Sequence, residues 1–170
     1  MQLAAPKISS AKSSYKGVTV KWAKVSGAVS YTIKRNGKTI GTTAGASFLD
    51  KTPKGGAVNR YEVCANGDNV KTITSASAVI STKKLPKAVT GLKAKKSGSK
   101  ITVSWKKQKD AAGYVVLKAT SANGTYKKVK ELKKTSFTDS KVKGKVVYYK
   151  VVAKSKKLYG PASKSKKVKK

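Results

Sequence analysis

The sequence predicts an all-β chain of two β-sandwiches in tandem, and three observations predict it. Val18-Thr19-Val20-Lys21-Trp22, followed nine residues after the Trp by Tyr31-Thr32-Ile33, recurs as Ile101-Thr102-Val103-Ser104-Trp105, followed at the same spacing by Tyr114-Val115-Val116. In both copies apolar residues alternate with others, the period-two pattern of a half-buried strand. Short runs of this kind are separated by Gly, Asn and Pro turn signals, with no helical periodicity between them. The repeat decides the number of units, because self-similarity at a fixed shift marks a duplicated fold. Trp22 to Trp105 is a shift of 83 residues, enough for a small sandwich to bury a modest core without disulfides. The units are read as residues 1–84 and 85–170.

Each element follows in order. Leu3 to Ile8, with Pro6 inside, reads as an irregular edge strand, where no ladder donor is needed from the proline. Val18, Val20 and Trp22 then point inward from the second strand. Ser26-Gly27-Ala28 breaks the run, and Tyr31, Ile33 and Arg35 alternate in the third. Asn36-Gly37 is a two-residue hairpin signal, since both turn residues need positive φ, and Lys38 to Thr42 is the return strand. Ser47-Phe48-Leu49-Asp50 is a short strand, and Lys51 to Asn59 crosses between sheets. Tyr61, Val63 and Ala65 face one way, with Glu62 and Cys64 on the other face. Asn66-Gly67-Asp68 turns the chain, and Thr72 to Ser81 is the last strand of the first half. Thr82-Lys83-Lys84-Leu85-Pro86-Lys87 is a short, Pro-containing and therefore semi-rigid linker.

The second half repeats this plan. Val89, Leu92 and Ala94 are expected in its opening edge strand, and Ala111 matches Ala28. Asn123-Gly124 lies in a longer hairpin loop before Tyr126 to Leu132. Phe137-Thr138-Asp139 matches Phe48-Leu49-Asp50, and Tyr149-Lys150-Val151-Val152-Ala153 matches Tyr61-Glu62-Val63-Cys64-Ala65. Gly160-Pro161 is expected to open the final strand, Ala162 to Val168.

Both halves resemble the fibronectin type III domain, in the form common in Gram-positive bacterial extracellular proteins. The strand-B Trp (Trp22, Trp105), the strand-C Tyr (Tyr31, Tyr114) and the strand-F Tyr-x-Val-x-Ala (Tyr61-Val63-Ala65, Tyr149-Val151-Ala153) carry the resemblance, which covers essentially the whole chain. It implies two immunoglobulin-like, seven-stranded sandwiches with those residues in their cores: Trp22, Tyr31, Tyr61, Val63, Trp105, Tyr114, Tyr149 and Val151. Tyr61 and Tyr149 fall where the corner tyrosine of this sandwich class bonds its hydroxyl back to the backbone. No Arg-Gly-Asp is present, so the integrin binding of some animal members does not carry over.

Composition bounds the chemistry. Lys and Arg number 40 against 6 Asp and Glu, with no His, for a net charge of +34. Only Arg35 and Arg60 are arginine. Residues 1–84 carry 14 basic and 3 acidic side chains, while residues 85–170 carry 26 and 3. A field of this kind draws polyanions at long range and weakens with salt. Without His, the commonest general base and metal ligand is missing. The carboxylates Asp50, Glu62, Asp68, Asp110, Glu131 and Asp139 are scattered singly, and no spacing suits a metal. Neither catalysis nor a cofactor is expected. Asp50 and Asp139, at equivalent strand ends, read as loop caps. Cys64 is read as a small outer-face residue of strand F, in preference to a reactive thiol. A Lys–Asn cross-link would need a buried carboxylate beside the pair, and the parity of Glu62 points it outward.

The lysine excess is the one feature with a functional reading. Lys95 and Lys96, Lys106 and Lys107, Lys127 and Lys128, Lys133 and Lys134, Lys156 and Lys157, and the tail from Lys164 could hold a polyanion. Tyr126, Tyr148 and Tyr159 would add aromatic surface on which a sugar or base could stack. The plainer accounts are lysines filling solvated positions and guarding edges, and tyrosines packing across strands. Lysine is a point charge without arginine's planar fork, so it suits non-specific anion attraction over base reading.

No apolar run approaches the roughly 20 residues that span a bilayer, and the start, Met1-Gln2-Leu3-Ala4-Ala5-Pro6, has no apolar signal core. The fold points to an excised fragment of a surface or secreted protein. The sequence is thus read as a monomeric, non-catalytic extracellular spacer and interaction module. Its partners would be neighbouring domains of its parent and an anionic polysaccharide or cell-wall polymer. The alternative is a dedicated binder of acidic polysaccharide or nucleic acid.

Overall fold

The computed structural model describes residues 3–68 and 78–169. Every strand pair in it is antiparallel. In the first module β1 (Ile8–Ser14), β2 (Gly17–Trp22) and β5 (Ser47–Asp50) form one sheet in the order β1-β2-β5. Facing it are β3 (Ser30–Arg35), β4 (Lys38–Thr43), β6 (Arg60–Asn66) and β7 (Ala78–Ser81), ordered β4-β3-β6-β7.

The second module repeats both sheets. β8 (Lys93–Ser97), β9 (Lys100–Ser104) and β12 (Ser136–Asp139) form the smaller, in the order β12-β9-β8. The larger runs β11 (Lys127–Leu132), β10 (Gly113–Ala119), β13 (Val146–Ser155) and β14 (Leu158–Ala162). β15 (Lys166–Lys169) continues the β14 edge along β13.

The inward residues make two separate cores. Val18, Val20 and Trp22 meet Tyr31, Ile33, Tyr61, Val63 and Ala65 in the first. Ile101, Val103 and Trp105 meet Tyr114, Val116, Tyr149, Val151 and Ala153 in the second. The repeated Trp-to-Tyr spacing has a geometric cause. Trp22 ends its strand and Trp105 directly follows one, the chain crosses to the facing sheet, and the Tyr lies second in the next strand opposite it. Ring centroids lie 5.3 Å apart for Trp22–Tyr31 and 5.4 Å for Trp105–Tyr114, tilted to edge-on, the arrangement aromatic quadrupoles favour. Each Tyr hydroxyl then accepts a backbone N–H of the crossing loop, from Val25 at 2.7 Å and from Gln108 at 2.9 Å. At the β3–β4 turn, Asn36 and Gly37 take φ of 50° and 82°, as the hairpin signal required.

Several sequence expectations shift. The first strand runs from Ile8 to Ser14, after the stretch assigned to it, because the Ser-rich segment shows no alternation yet pairs with β2. Likewise the second module opens at Lys93; Val89 lies earlier, buried in the core. Of the strand expected over Thr72 to Ser81, Ala78–Ser81 is observed and the rest lies outside the described residues. Gly160-Pro161 sits inside β14 instead of opening a strand. The β13–β14 register shifts between Val152 and Lys154, and just past β14 the Ser163 N–H donates to Val151 O at 2.9 Å while its Oγ accepts the Val151 N–H at 3.0 Å. Cys64 keeps its outward parity, yet it is buried at 8% exposure.

The linker is fastened to the first module. Leu85 is buried in the first core. Its N–H donates to Ala57 O, and its carbonyl accepts the Gly56 N–H. The second module reaches back over it. Leu158, in β14, packs against the first core, and Tyr159 N–H donates to Ser13 Oγ at 3.1 Å. Gly160 is needed for this approach, since a Cβ there would lie 2.4 Å from Pro86 O.

Candidate functional site

Both sandwiches close on a buried carboxylate at the end of the strand that follows a hairpin, β5 after β3–β4 and β12 after β10–β11. In the second module Tyr149 donates its hydroxyl to Asp139 Oδ2 at 2.7 Å, and Lys118 Nζ reaches the same oxygen at 2.8 Å. The Lys141 N–H donates to Asp139 Oδ1 at 2.9 Å. The first module has Tyr61 on Asp50 Oδ2 at 2.7 Å, Arg35 on the same oxygen at 2.7 Å, and the Thr52 N–H on Oδ1 at 2.9 Å. The aspartates cap their loops as expected. The tyrosine corner does not follow its expectation: the hydroxyls bond to the aspartates and not to backbone. A carboxylate at this corner is a stronger acceptor than a carbonyl.

The corner's electrostatics follow from these contacts. Burial works to raise the Asp139 pKa, but the bonds from Lys118, Tyr149 and the Lys141 N–H outweigh it and hold it below the ordinary value. Burial first, and then the hydrogen bond to the neighbouring aspartate, push the Tyr61 and Tyr149 hydroxyls well above theirs.

Next to the Asp139 corner, between the β11 and β12 edges, lies a cleft of about 710 Å³. Lys118, Lys127, Lys128, Lys130, Lys141 and Lys143 line it over Phe137 and Val147, and Asp139 is the one carboxylate among its lining residues. Lys118 is neutralised by that aspartate. Lys128 donates to Glu131 at 2.8 Å, and this bond raises its pKa. Lys127, Lys130, Lys141 and Lys143 are exposed. The cleft is a concave surface where an anion would meet several ammonium groups at once.

The sequence-nominated lysines do not converge on one place. Lys127 and Lys128 line this cleft. Lys95 lines another with Lys93 and Lys166, and Lys133 and Lys156 border a third beside Glu131 and Lys154. Lys96, Lys106, Lys107, Lys134 and Lys157 are exposed. The tyrosines pack across strands, each beneath an ammonium group: Lys150 over Tyr126 at 4.3 Å, Lys154 over Tyr159 at 5.5 Å and Lys167 over Tyr148 at 6.0 Å. Sequence reasoning missed Lys118, Lys130, Lys141 and Lys143. Lys118 was findable, because the 83-residue shift that matches the tryptophans also maps Arg35 onto it.

Three strands packed on four, with the fourth strand paired to the third, define an immunoglobulin-like β-sandwich, present here twice. In particular, the chain has the architecture of two fibronectin type III domains in tandem, with strands A-B-E against C′-C-F-G in each. No protein-family model matches the chain, and no curated protein does. Among solved structures, the chain is similar to an Fn3-like protein from Clostridium thermocellum, at 30% identity over 45% of this chain and 84% of that one, with a TM-score of 0.43. It is also similar to the chicken CNTN1 FN1–FN3 domains, at 20% identity over 98% and 67% of the two chains, TM-score 0.45. A two-domain fibronectin type III segment of chicken tenascin matches at 14% identity over 99% of both chains, TM-score 0.46. No helix among the described residues is long and apolar enough to cross a membrane.

Proposed function

We propose that the chain is a non-catalytic spacer and interaction segment of a larger surface or secreted protein, and that its second module meets anionic cell-wall or glycan polymers. The observation that carries this reading is the lysine cleft beside the Asp139 corner. Four of the six carboxylates serve as structural partners: Asp50 and Asp139 in the corners, Glu62 with Arg60, and Glu131 with Lys128 and Lys154. No three potential metal ligands cluster among the described residues. The fastened linker suits a spacer, because a stiff joint transmits a fixed reach where a flexible one would not.

Retention on immobilised heparin or teichoic acid tests the reading. The chain should remain bound at ~150 mM salt, where exposed charges are largely screened beyond about 8 Å. K127Q/K130Q/K141Q/K143Q should elute at clearly lower salt than a variant losing four first-module lysines. Equal elution of the two variants would reduce the cleft to bulk charge. Retention far beyond that of equally charged proteins would favour the second reading, a dedicated polyanion binder.

A further inference from the structure

The two modules enclose a second concavity. It lies where the β1–β2 turn and the end of β5 in the first module approach the C–C′ loop and β13 of the second. Its volume is about 510 Å³, inside the roughly 300–1,000 Å³ range of small-ligand sites. Tyr15, Lys16 and Lys51 come from the first module, and Leu117, Tyr126 and Lys150 from the second. Neither module has this groove alone.

Its walls are held in place. Tyr15 crosses the module boundary to pack with Val115, Leu117 and Val152 on the outer face of the second module. Tyr126 joins the same cluster, and its hydroxyl donates to Ala122 O at 3.1 Å, which braces the Asn123-Gly124 loop at the groove's rim. The Lys150 ammonium stands over the Tyr126 ring. Together with the Leu158 and Tyr159 contacts, this packing makes the groove a preformed site, and preformed sites lose less freedom on binding.

Its charge is one-sided. Lys16, Lys51 and Lys150 line it, with no carboxylate among the lining residues. Asp50 precedes Lys51 in the chain, but its carboxylate is turned into the Tyr61 and Arg35 corner. Three ammonium groups around an apolar and aromatic floor fit a ligand with anionic substituents on a partly apolar body. Lysine gives point charges without a guanidinium fork, which suits sulfate or carboxylate groups better than the planar edges of bases.

We infer that this inter-module groove is a composite binding site for a short stretch of sulfated or carboxylated saccharide, held by Lys16, Lys51 and Lys150 against Tyr15 and Tyr126. The inference rests on the proposed reading for the ligand's sign of charge. It differs in requiring one short ligand at one place.

The full chain tests it by calorimetric titration with a heparin-derived sulfated tetrasaccharide, its desulfated counterpart and a short oligothymidylate. K16Q/K51Q/K150Q should lose about ten-fold or more in affinity for the sulfated tetrasaccharide, the equivalent of about 1.4 kcal/mol. K95Q/K133Q/K134Q, which removes the same charge elsewhere, should change it by less than about two-fold. Circular dichroism establishes that both variants fold as the parent does. The groove is overturned if the two triple variants weaken binding equally, or if the tetrasaccharide fails to bind while long heparin is still retained. Either result leaves the broader polyanion reading standing. Failure of long heparin as well would remove both. Oligothymidylate binding that is as tight and equally lost in the groove variant would replace the saccharide with a nucleic acid.

Discussion

The two modules agree inside and differ outside. Trp22 and Trp105 meet their tyrosines at nearly the same distance, and Tyr61 and Tyr149 donate to their aspartates at the same 2.7 Å. The cation on the buried aspartate is Arg35 in one module and Lys118 in the other. Outside, the C′ strand reads Lys38-Thr39-Ile40-Gly41 in the first module and Lys127-Lys128-Val129-Lys130 in the second, and the halves carry net charges of +11 and +23. Close packing leaves little freedom at the inner positions, whereas a solvated face accepts most polar side chains. Whatever distinguishes the modules in function must therefore lie in the outer difference.

The inner agreement is broken most severely at the indoles. Trp22→Ala and Trp105→Ala should each destabilise their own module by about 3–5 kcal/mol. Each variant keeps one indole, whose fluorescence in urea follows the untouched module, so the cost to the substituted module is read from far-UV circular dichroism in the same titration. The two costs should agree within about 1 kcal/mol if the cores are equivalent. A much smaller cost at either position would show that its indole is not a core element.

The corners come next. Tyr61→Phe and Tyr149→Phe each leave a buried carboxylate short of one donor, and should cost about 1–3 kcal/mol in chemical denaturation. The corner also sets how stability varies with pH. Asp139 is held below its ordinary value of 3.8, so its contribution is present above about that pH and is lost as pH falls through the lower folded value. The hydroxyls of Tyr61 and Tyr149 are held above their ordinary 10.0. Their contribution is present below about pH 10 and is lost as pH rises further. Asp139→Asn should therefore flatten the acid limb of the second module's stability curve, and Tyr149→Phe its alkaline limb. Unchanged limbs would mean that the corner does not form.

These elements also separate what could be read in the sequence from what could not. The cores were legible because alternation and the repeated Trp-to-Tyr spacing report burial directly. The first strand lies beyond the stretch the sequence suggests because Ile8-Ser-Ser-Ala-Lys-Ser-Ser14 has no apolar period; pairing with β2 and the packing of Ile8 and Ala11 on the first core hold it. For the tyrosine hydroxyls the resemblance implies a backbone partner, and the repeated Asp reveals itself as the partner only once the sheets are packed. The lysine cleft was half legible. Lys127 and Lys128 are adjacent in sequence, whereas Lys118, Lys141 and Lys143 reach it from other segments. Nothing local in Tyr15, Leu85 or Leu158 marked them as contacts of the joint.

That joint carries the smallest of the expected effects and the one most specific to the tandem arrangement. Leu158 belongs to the second module's chain, yet it is half-buried against the first module's core. Full burial of a leucine is worth roughly 1.5–3 kcal/mol, so Leu158→Ala should remove about 1 kcal/mol. The two modules can be followed separately in Trp22→Phe and Trp105→Phe backgrounds. Neither indole N–H has a hydrogen-bond acceptor among the described residues, so each exchange sacrifices ring volume but no hydrogen bond. In the Trp105→Phe background, where Trp22 reports, Leu158→Ala should lower the urea midpoint of the first module although the substitution lies 73 residues beyond Leu85. In the Trp22→Phe background the second module's midpoint should move less. If only the second module responds, Leu158 does not pack on the first core, and the joint rests on the linker and on the Ser13 and Tyr15 contacts.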